Sequence, residues 1–154
     1  AEEVWQGNNF LLKEADSVFL TDLKTLEDFE SNLSTENWER LLEIKEEVNQ
    51  SIEDARTAGV IKGSLDASIE LTLDPNDFKL SQKYAAELHF FFIVSECNIS
   101  EGKALKVFVN KSAAQKCVRC WHCHKSVGLS PKHSELCIRC EQNIDGPGED
   151  RKFA

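Results

Sequence analysis

Cysteine is the residue type whose spacing in this sequence points most directly to chemistry. Five of the six cysteines lie between positions 117 and 140 of the 154 residues. Two Cys-x-x-Cys pairs, Cys117/Cys120 and Cys137/Cys140, are separated by 16 residues, a spacing typical of structural zinc sites. A tight turn between two cysteines directs both sulfurs at one ion, and two such turns complete a tetrahedron. We therefore predict one structural Zn²⁺ bound by these four thiolates, whose binding energy replaces a hydrophobic core in a short, polar segment.

The fifth cysteine of the cluster leaves an alternative, because Cys120 and Cys123 also have the Cys-x-x-Cys spacing. The tetrapeptides Cys-Val-Arg-Cys and Cys-Ile-Arg-Cys repeat one pattern, which favours two equivalent turns and leaves Cys123 spare. His122, His124 and His133 are possible substitute ligands.

Other cysteine chemistries fit less well. A disulfide framework is expected in secreted proteins, and the acidic start of the chain does not resemble a signal peptide. A thioredoxin-like pair needs a βαβ frame at the motif, and an iron–sulfur run would place a further cysteine where Val127 stands. Four thiolates leave no open coordination position, so a catalytic zinc ion is not expected.

Charge is distributed unevenly along the chain. Residues 1–102 carry 8 basic and 22 acidic groups, a net −14, whereas residues 103–154 carry 10 basic and 5 acidic groups, a net +5. Contact with a polyanion is therefore expected only in the second part, where a zinc ion with four thiolates lowers the charge to about +3. Basic and aromatic residues near the sulfurs suit unpaired RNA, since cations meet phosphate and an indole stacks on a base; they are Lys116, Arg119, Trp121, Lys125, Lys132 and Arg139. The alternative is that Trp121 packs over the metal and Arg119 hydrogen-bonds a thiolate.

A long amphipathic helix is predicted between Ser34 and Gly59, with Ser34 or Thr35 as N-cap and Gly59 as C-terminal cap. Its apolar stripe, interrupted by Lys45, consists of Trp38, Leu41, Leu42, Val48, Ile52 and Ala55. Arg56 lies beside this stripe, on a polar face that is either a contact surface or a solvated edge. Before this helix we predict a helix end, a turn around Gly7-Asn8-Asn9 and an extended run over Ser17–Leu20.

The middle of the chain predicts a small mixed sheet with one packed helix. Apolar residues alternate with polar ones from Leu65 to Leu73, as in a half-buried strand, and Asp74-Pro75-Asn76-Asp77 ends it. Leu80, Tyr84 and Leu88 follow at helical spacing. His89–Val94 is predicted as a buried strand, although periodicity does not distinguish it from a continuation of the helix, and Leu105–Val109 is predicted as another strand. The fold class is therefore α+β. No apolar run approaches the roughly 20 residues that cross a bilayer.

Motifs along nearly the whole chain resemble the carboxy-terminal region of bacterial-type isoleucyl-tRNA synthetases. The most specific are Lys-Cys-Val-Arg-Cys-Trp at 116–121, Cys-Ile-Arg-Cys at 137–140 and Gly-Glu-Asp-Arg-Lys-Phe-Ala at 148–154. Less specific matches are Glu-Glu-Val-Trp at 2–5, Ser-Val-Phe-Leu at 17–20, the segment from Trp38 to Arg56, Ser-Leu-Asp-Ala at 64–67 and Ile-Val-Ser at 93–95. The absence of Met also fits a piece of a longer protein.

The resemblance implies three segments: residues 1–60 as the end of an anticodon-binding helical domain, 61–110 as a small α/β junction, and 111–154 as a zinc-binding tail. It implies that Cys117, Cys120, Cys137 and Cys140 bind zinc. It also implies that Arg119 and Trp121 approach the anticodon loop of the tRNA. Lys116, Lys125, Arg139 and Arg56 are predicted as further tRNA contacts.

The function implied is a non-catalytic, tRNA-positioning part of an isoleucine–tRNA ligase. The chain has no His-Ile-Gly-His-like or Lys-Met-Ser-Lys-Ser-like segment, so ATP is expected only in the catalytic domain of the parent enzyme. We expect a cytoplasmic monomer without membrane contact whose partners are isoleucine tRNA and the rest of the synthetase. Two alternatives are a stand-alone zinc interaction module without nucleic acid and the zinc-finger tail of a DNA glycosylase.

Overall fold

A computed structural model of the chain describes residues 2–7, 15–20 and 34–149. The chain divides into two compact units, residues 1–32 and 33–154. The predicted turn at Gly7-Asn8-Asn9 lies largely outside the described residues, and the division at residues 60 and 110 stays a prediction. None of the helices in the described ranges could span a bilayer.

The described part of the first unit is a small turn held by polar contacts. Helix α1 covers Glu2–Gly7, and a 3-10 helix covers Val18–Leu20. The carboxylate of Glu2 accepts hydrogen bonds from Ser17 Oγ at 2.9 Å and from the Val18 amide at 3.2 Å. The predicted extended run at 17–20 is therefore wrong, because the Leu20 amide donates to the Ser17 carbonyl at 3.0 Å and closes a turn.

Helix α2 covers Thr35–Thr57 and begins and ends as the sequence predicts. The Ser34 hydroxyl accepts a hydrogen bond from the Asn37 amide, so Ser34 is the N-cap. Gly59 adopts a φ of +74°, and the Val60 amide donates to the Ala55 carbonyl at 2.9 Å. This closure is a Schellman motif, in which glycine adopts the left-handed conformation without a Cβ penalty.

The buried face of α2 is displaced from the predicted stripe. Leu41, Ile44, Val48 and Ile52 are buried, whereas Trp38 and Leu42 are 44% and 39% exposed. The observed set repeats at three- and four-residue spacing, which keeps it on one side of the helix. At the edge of this face, the Lys45 ammonium stands 4.7 Å from the centre of the Phe91 ring, which Trp38 also contacts edge-on.

The described strands form a mixed sheet in the order β2-β1-β3, with β1 at Ala67–Leu73, β2 at Glu96–Glu101 and β3 at Lys106–Lys111. Strand β1 pairs parallel with β2, placing Ile69 opposite Cys97, and antiparallel with β3, placing Ile69 opposite Val109. The alternation predicted for β1 is confirmed, since its odd-numbered residues are buried. Helix α2 packs near β3, and α3, which covers Pro75–Gln82, packs near β2.

The apolar run His89–Val94 is not the predicted strand. Helix α4 covers Leu88–Phe91, and the left-handed residue Ile93, with a φ of 57°, ends it. The Val94 amide donates back to the His89 carbonyl at 2.9 Å, which closes the helical turn. Leu88 and Phe92, four residues apart, enter the core on one face of this turn. The strand itself starts later, at Glu96, and lies at the edge of the sheet, where Cys97 and Ile99 are half-buried and no residue of β2 is fully buried.

A charge pair joins α2 to α3. The Arg40 guanidinium donates to both carboxylate oxygens of Asp77, at 2.9 and 2.7 Å. The Asp77 side chain is 7% exposed, whereas that of Arg40 is 41% exposed. The hydrogen bonds from Arg40 hold the pKa of Asp77 below its ordinary value despite burial, which acts in the opposite direction. Asp74 completes the junction, because its side chain accepts hydrogen bonds from the Asn76 and Asp77 amides and caps α3.

Replacing Arg40 by alanine should lower the free energy of unfolding by about 2 kcal/mol at pH 7, because it leaves a buried carboxylate without its cation. The matched control is Arg56→Ala, which breaks an exposed pair with Glu53 on the same helix and should cost at most about 0.5 kcal/mol. Urea unfolding of the zinc-loaded chain measures both. Equal effects of the two substitutions would contradict the role given to the Arg40–Asp77 pair.

The same pair predicts a pH dependence of stability. Since the folded pKa of Asp77 is lowered, its contribution is fully present above the ordinary pKa of 3.8 and is lost as pH falls through the folded value. The stability difference between the wild-type chain and Arg40→Ala should therefore stay constant at higher pH and shrink as the pH falls below 3.8. Because zinc release in acid affects both proteins, the difference between their unfolding curves isolates this pair.

Candidate metal centre

The first cysteine pair lies in a tight hairpin turn. The Trp121 amide donates to the Cys117 carbonyl, and the Cys117 amide donates to the His122 carbonyl, both at 2.9 Å. An isolated antiparallel bridge between Lys116 and Cys123 closes the base of the hairpin. Trp121 has a φ of 65°, in the left-handed region where bulky residues are rare.

The second pair lies at the start of helix α5, which covers Ile138–Asp145. Cys137 is its N-cap, and the Glu141 amide donates to the Cys137 carbonyl at 3.0 Å. The repeated tetrapeptides therefore begin alike, since in each the residue after the second cysteine donates to the carbonyl of the first. They diverge at that residue: Trp121 turns the chain back, whereas Glu141 continues into the helix. We call residues 116–149 the zinc module and residues 61–111 the sheet module.

The four predicted sulfurs converge. The Sγ atoms of Cys117, Cys120, Cys137 and Cys140 all lie within 4.8 Å of one another, and those of Cys120 and Cys137 are 3.7 Å apart. A tetrahedral zinc ion with Zn–S bonds of about 2.3 Å places its sulfurs about 3.8 Å apart, so the donor set fits this ion. Cys117, Cys137 and Cys140 are buried, and within residues 34–149 Val127 and the half-buried Leu136 add aliphatic packing around the sulfurs. The site is a structural zinc site, because four thiolates fill the coordination shell.

Backbone amides around Cys117 stabilise its thiolate form, which is the form that binds a metal cation. Burial opposes ionisation of this thiol, but amides of Cys120, Cys137 and Arg119 point at its sulfur and lower its pKa to about 6. The Cys137 amide lies 3.4 Å from Cys117 Sγ and so links the two turns directly. Arginine side chains add positive charge, since Arg119 Nη1 lies 3.9 Å from Cys140 Sγ and Arg139 interacts electrostatically with Cys120 and Cys140.

Cys123 and the candidate histidines have other partners. Cys123 is buried outside the sulfur cluster, and its amide donates to Ser95 Oγ at 2.6 Å. His122 packs edge-on against Phe90, His124 bonds Ser126, and His133 bonds Asp145 at 2.6 Å. Within residues 34–149, the group of potential metal ligands consists of the four predicted cysteines alone.

The residues predicted to contact tRNA differ in whether they form ion pairs within the chain and in how exposed they are. Lys116 pairs with Asp66 at 2.8 Å, Lys125 with Glu96 at 3.5 Å, and Arg56 with Glu53 at 2.6 Å. Arg139 is 24% exposed and pairs with Glu149 at 3.6 Å. Arg119 and Trp121 are exposed, Trp121 by 63%. The indole of Trp121 is therefore not packed over the metal, contrary to the alternative given above for this residue. Arg119 does approach a ligand sulfur, as the same alternative expects.

Sequence reasoning missed the residues of the sheet module that hold the zinc module. The Ser95 hydroxyl donates to the Leu65 carbonyl at 2.5 Å while it accepts from Cys123, and so joins the two modules. Lys116 and Asp66 form a second connection. A serine at position 95 has no local pattern that announces this role, since both partners are about 30 residues away in sequence.

Comparison with known proteins agrees with this geometry. Residues 114–143 match a family model described as "Zinc finger found in FPG and IleRS". The whole chain is 42% identical to part of the isoleucine–tRNA ligase of Dichelobacter nodosus, 38% to that of Nitrosomonas europaea and 35% to that of Hahella chejuensis. The chain belongs to the isoleucine–tRNA ligase family. It corresponds to a carboxy-terminal region of these ligases, spans only 17–18% of their length and does not include their catalytic domain.

Zinc binding should separate the ligand cysteines from the spare one. Cys137→Ser should lower zinc affinity by more than about 100-fold, since even residues that only orient ligands contribute 10- to 100-fold. Cys123→Ser should retain one zinc ion per chain, because its sulfur lies outside the cluster. Metal analysis after dialysis against a weak chelator measures both. Loss of zinc from Cys123→Ser would mean that the ligand set is wrong.

Proposed function

We propose that this chain is the non-catalytic part of an isoleucine–tRNA ligase that contacts the anticodon end of the tRNA through its zinc module. The parent enzyme would activate isoleucine with ATP and transfer it to tRNA at a distant site, as a cytoplasmic monomer. The chain itself would contribute orientation, because holding one end of a substrate converts binding into correct placement of the other end. The observation that carries this proposal is that Trp121 combines a left-handed backbone conformation with an exposed indole.

Trp121 combines a strained backbone with an exposed side chain. Its φ of 65° is tolerated well by glycine, and a bulky residue there costs about 1–3 kcal/mol. The indole recovers little of this by burial, since 63% of the residue is exposed. A large aromatic ring held outward at an unfavourable position suits contact with something outside the chain. An unpaired base of an RNA loop is such a partner, because every base offers a face for stacking.

Arg119 is the cation best placed to act with Trp121. It lies two residues away on the same turn, is exposed, and has its sulfur contact at 3.9 Å, a long distance for a hydrogen bond. Its guanidinium can bind phosphate in a bidentate manner. Lys116, Lys125 and Arg139 are already paired with carboxylates, so phosphate must compete for them. They and Arg56 stay predicted contacts of lesser weight.

The net charge restricts where RNA can bind. The first 102 residues carry a net charge of −14, which repels a polyanion, whereas the remainder is positive. A few phosphate contacts on the zinc module are therefore favoured over an extended RNA-binding surface.

Replacing Arg119 and Trp121 by alanine in the complete ligase should separate two activities. Charging of tRNA should fall about tenfold or more, since stacking contributes about 1–3 kcal/mol per base, while isoleucyl-adenylate formation and zinc content stay unchanged. Leu129→Ala, which removes another exposed apolar side chain of the zinc module, is the matched control. An equal fall of both activities, or no change in either, would refute the proposal.

Trp121→Gly provides a complementary test on stability. Because glycine removes the left-handed strain but adds freedom to the unfolded chain, stability should stay unchanged or rise by up to about 1 kcal/mol. Thermal unfolding of the zinc-loaded chain measures this, while tRNA charging by the ligase should fall as in Trp121→Ala. Marked destabilisation by glycine would instead show that the indole packs the zinc site.

A zinc interaction module without nucleic acid is the second candidate. The carboxylate pairing of Lys116, Lys125 and Arg139 favours it, together with the net charge of −9. Titration of the complete ligase with tRNA at two salt concentrations separates the candidates. Under our proposal, Arg119→Ala reduces the slope of log affinity against log salt by about one. Under the alternative, the slope is the same with and without Arg119.

A further inference from the structure

One aromatic ring of the sheet module contacts both cysteine turns of the zinc module. The Phe90 ring in α4 meets the His122 ring edge-on at 5.9 Å, next to the first turn. The Arg139 guanidinium, from the second turn, lies 5.0 Å from the centre of the same ring. His89 stacks against Phe90 at 3.9 Å and meets His122 at 6.2 Å. Phe90 is therefore a point at which both halves of the zinc module touch the sheet module.

Arg139 lies between that ring and the metal ligands. It directly precedes the ligand Cys140 and interacts electrostatically with Cys120, its Nε is 3.6 Å from a Glu149 carboxylate oxygen, and its side chain is 24% exposed. Four thiolates around one zinc ion carry a net charge of −2, so a guanidinium beside Cys120 is attracted to the site. The flat guanidinium can satisfy the sulfur along its edge and still offer its face to the ring, which an ammonium cannot do.

Arg119 occupies the same place in the first tetrapeptide and provides an internal comparison. Arg119 approaches Cys140, in the other tetrapeptide, at 3.9 Å, and Arg139 interacts electrostatically with Cys120. Among the described residues, however, Arg119 stands over no aromatic ring and pairs with no carboxylate. Its neighbour in sequence, Trp121, turns outward, whereas Arg139 is carried by the rigid first turn of α5.

We propose that Arg139 is a positioning residue that links the second cysteine turn to Phe90 and thereby docks the zinc module on the sheet module. The direction in which Arg119 and Trp121 face the tRNA would then depend on Arg139. This consequence rests on the proposed tRNA contact. This assignment differs from direct phosphate binding by Arg139. The two matching arginines thus have different tasks, one in docking and the other in outward contact.

The amide of Cys123 reports on this docking independently of zinc or RNA. It donates to Ser95 Oγ at 2.6 Å, and Ser95 belongs to the sheet module. When the modules separate, this hydrogen bond opens and the amide exchanges with solvent. The amides of Cys137 and Glu141 lie within the zinc module, at Cys117 Sγ and the Cys137 carbonyl, and report on the zinc site itself.

Hydrogen exchange of the zinc-loaded 154-residue chain tests the proposal with Arg139→Gln and its matched control Arg119→Gln. Arg139→Gln should speed exchange of the Cys123 amide about tenfold, which corresponds to about 1.4 kcal/mol, while the Cys137 amide and the zinc content stay unchanged. Arg119→Gln should leave the Cys123 amide unchanged. Equal acceleration in both variants, or none in Arg139→Gln, would overturn the proposal. Acceleration at Cys137 together with zinc loss would also overturn it, because Arg139 would then serve only the metal site.

Phe90→Leu keeps an apolar side chain and supplies the second arm. If Arg139 acts through the ring, Phe90→Leu speeds Cys123 exchange similarly, and the double variant is no faster than either single variant. Additive effects would refute a shared contact. In the complete ligase, Arg139→Gln, Phe90→Leu and the double variant should raise the KM for tRNA non-additively, while adenylate formation stays unchanged. A direct phosphate contact by Arg139 predicts additive losses instead. Altered exchange with unaltered charging would leave the docking role intact and refute the proposed function instead.

Discussion

Four sulfur atoms directed at one zinc ion hold together the part of the chain from Lys116 to Glu149. This segment has a hairpin, a loop and a two-turn helix but few buried apolar side chains, and among the described residues Val127 and Leu136 pack around the cysteines. Coordination therefore does what a hydrophobic core does in larger domains, and folding of the segment is coupled to the metal. The backbone contributes by pointing amides at Cys117, so that part of the negative charge is already stabilised by the fold.

The positioning role that we propose for the zinc module requires that its own position be fixed. Its hairpin meets the sheet module at Ser95 through the Cys123 amide and at Asp66 through Lys116. Its helix turn meets Phe90 through Arg139. These contacts involve residues next to the starts of β1 and β2, so the zinc module lies at one end of the sheet. Rigid attachment at several points is what a positioning device requires, because the entropy of a loose linker would be lost again on binding.

Left-handed residues mark the places where the chain must turn abruptly. Gly59 ends α2 at no steric cost, as the sequence suggests. Ile93 and Trp121 adopt the same conformation with side chains that disfavour it. At Ile93 the turn ends α4 directly after Phe92 enters the core, which leaves room for β2 to begin at Glu96. At Trp121 the left-handed backbone reverses the chain between Lys116 and Cys123, the two hairpin residues that contact the sheet module. The same turn directs the indole outward.

The sequence by itself determined the features that depend on local chemistry. Zinc ligation needs particular residue types at particular spacings, so Cys117, Cys120, Cys137 and Cys140 could be named, and the caps of α2 and the alternation of β1 follow equally local rules. Belonging to the ligase family was also readable from motifs spread along the chain.

Only the tertiary structure decided which role each repeated or ambiguous residue takes. The apolar run 89–94 forms a helical turn because Leu88 and Phe92 must reach the same core, which local periodicity over six residues does not reveal. Cys123 lies outside the sulfur cluster, and its amide is held by Ser95, 28 residues away. Arg119 and Arg139 share one tetrapeptide pattern yet differ in exposure, because only Arg139 meets the ring of Phe90, a partner brought to it by the fold. Identical local sequence thus acquires different chemistry from contacts that lie far apart along the chain.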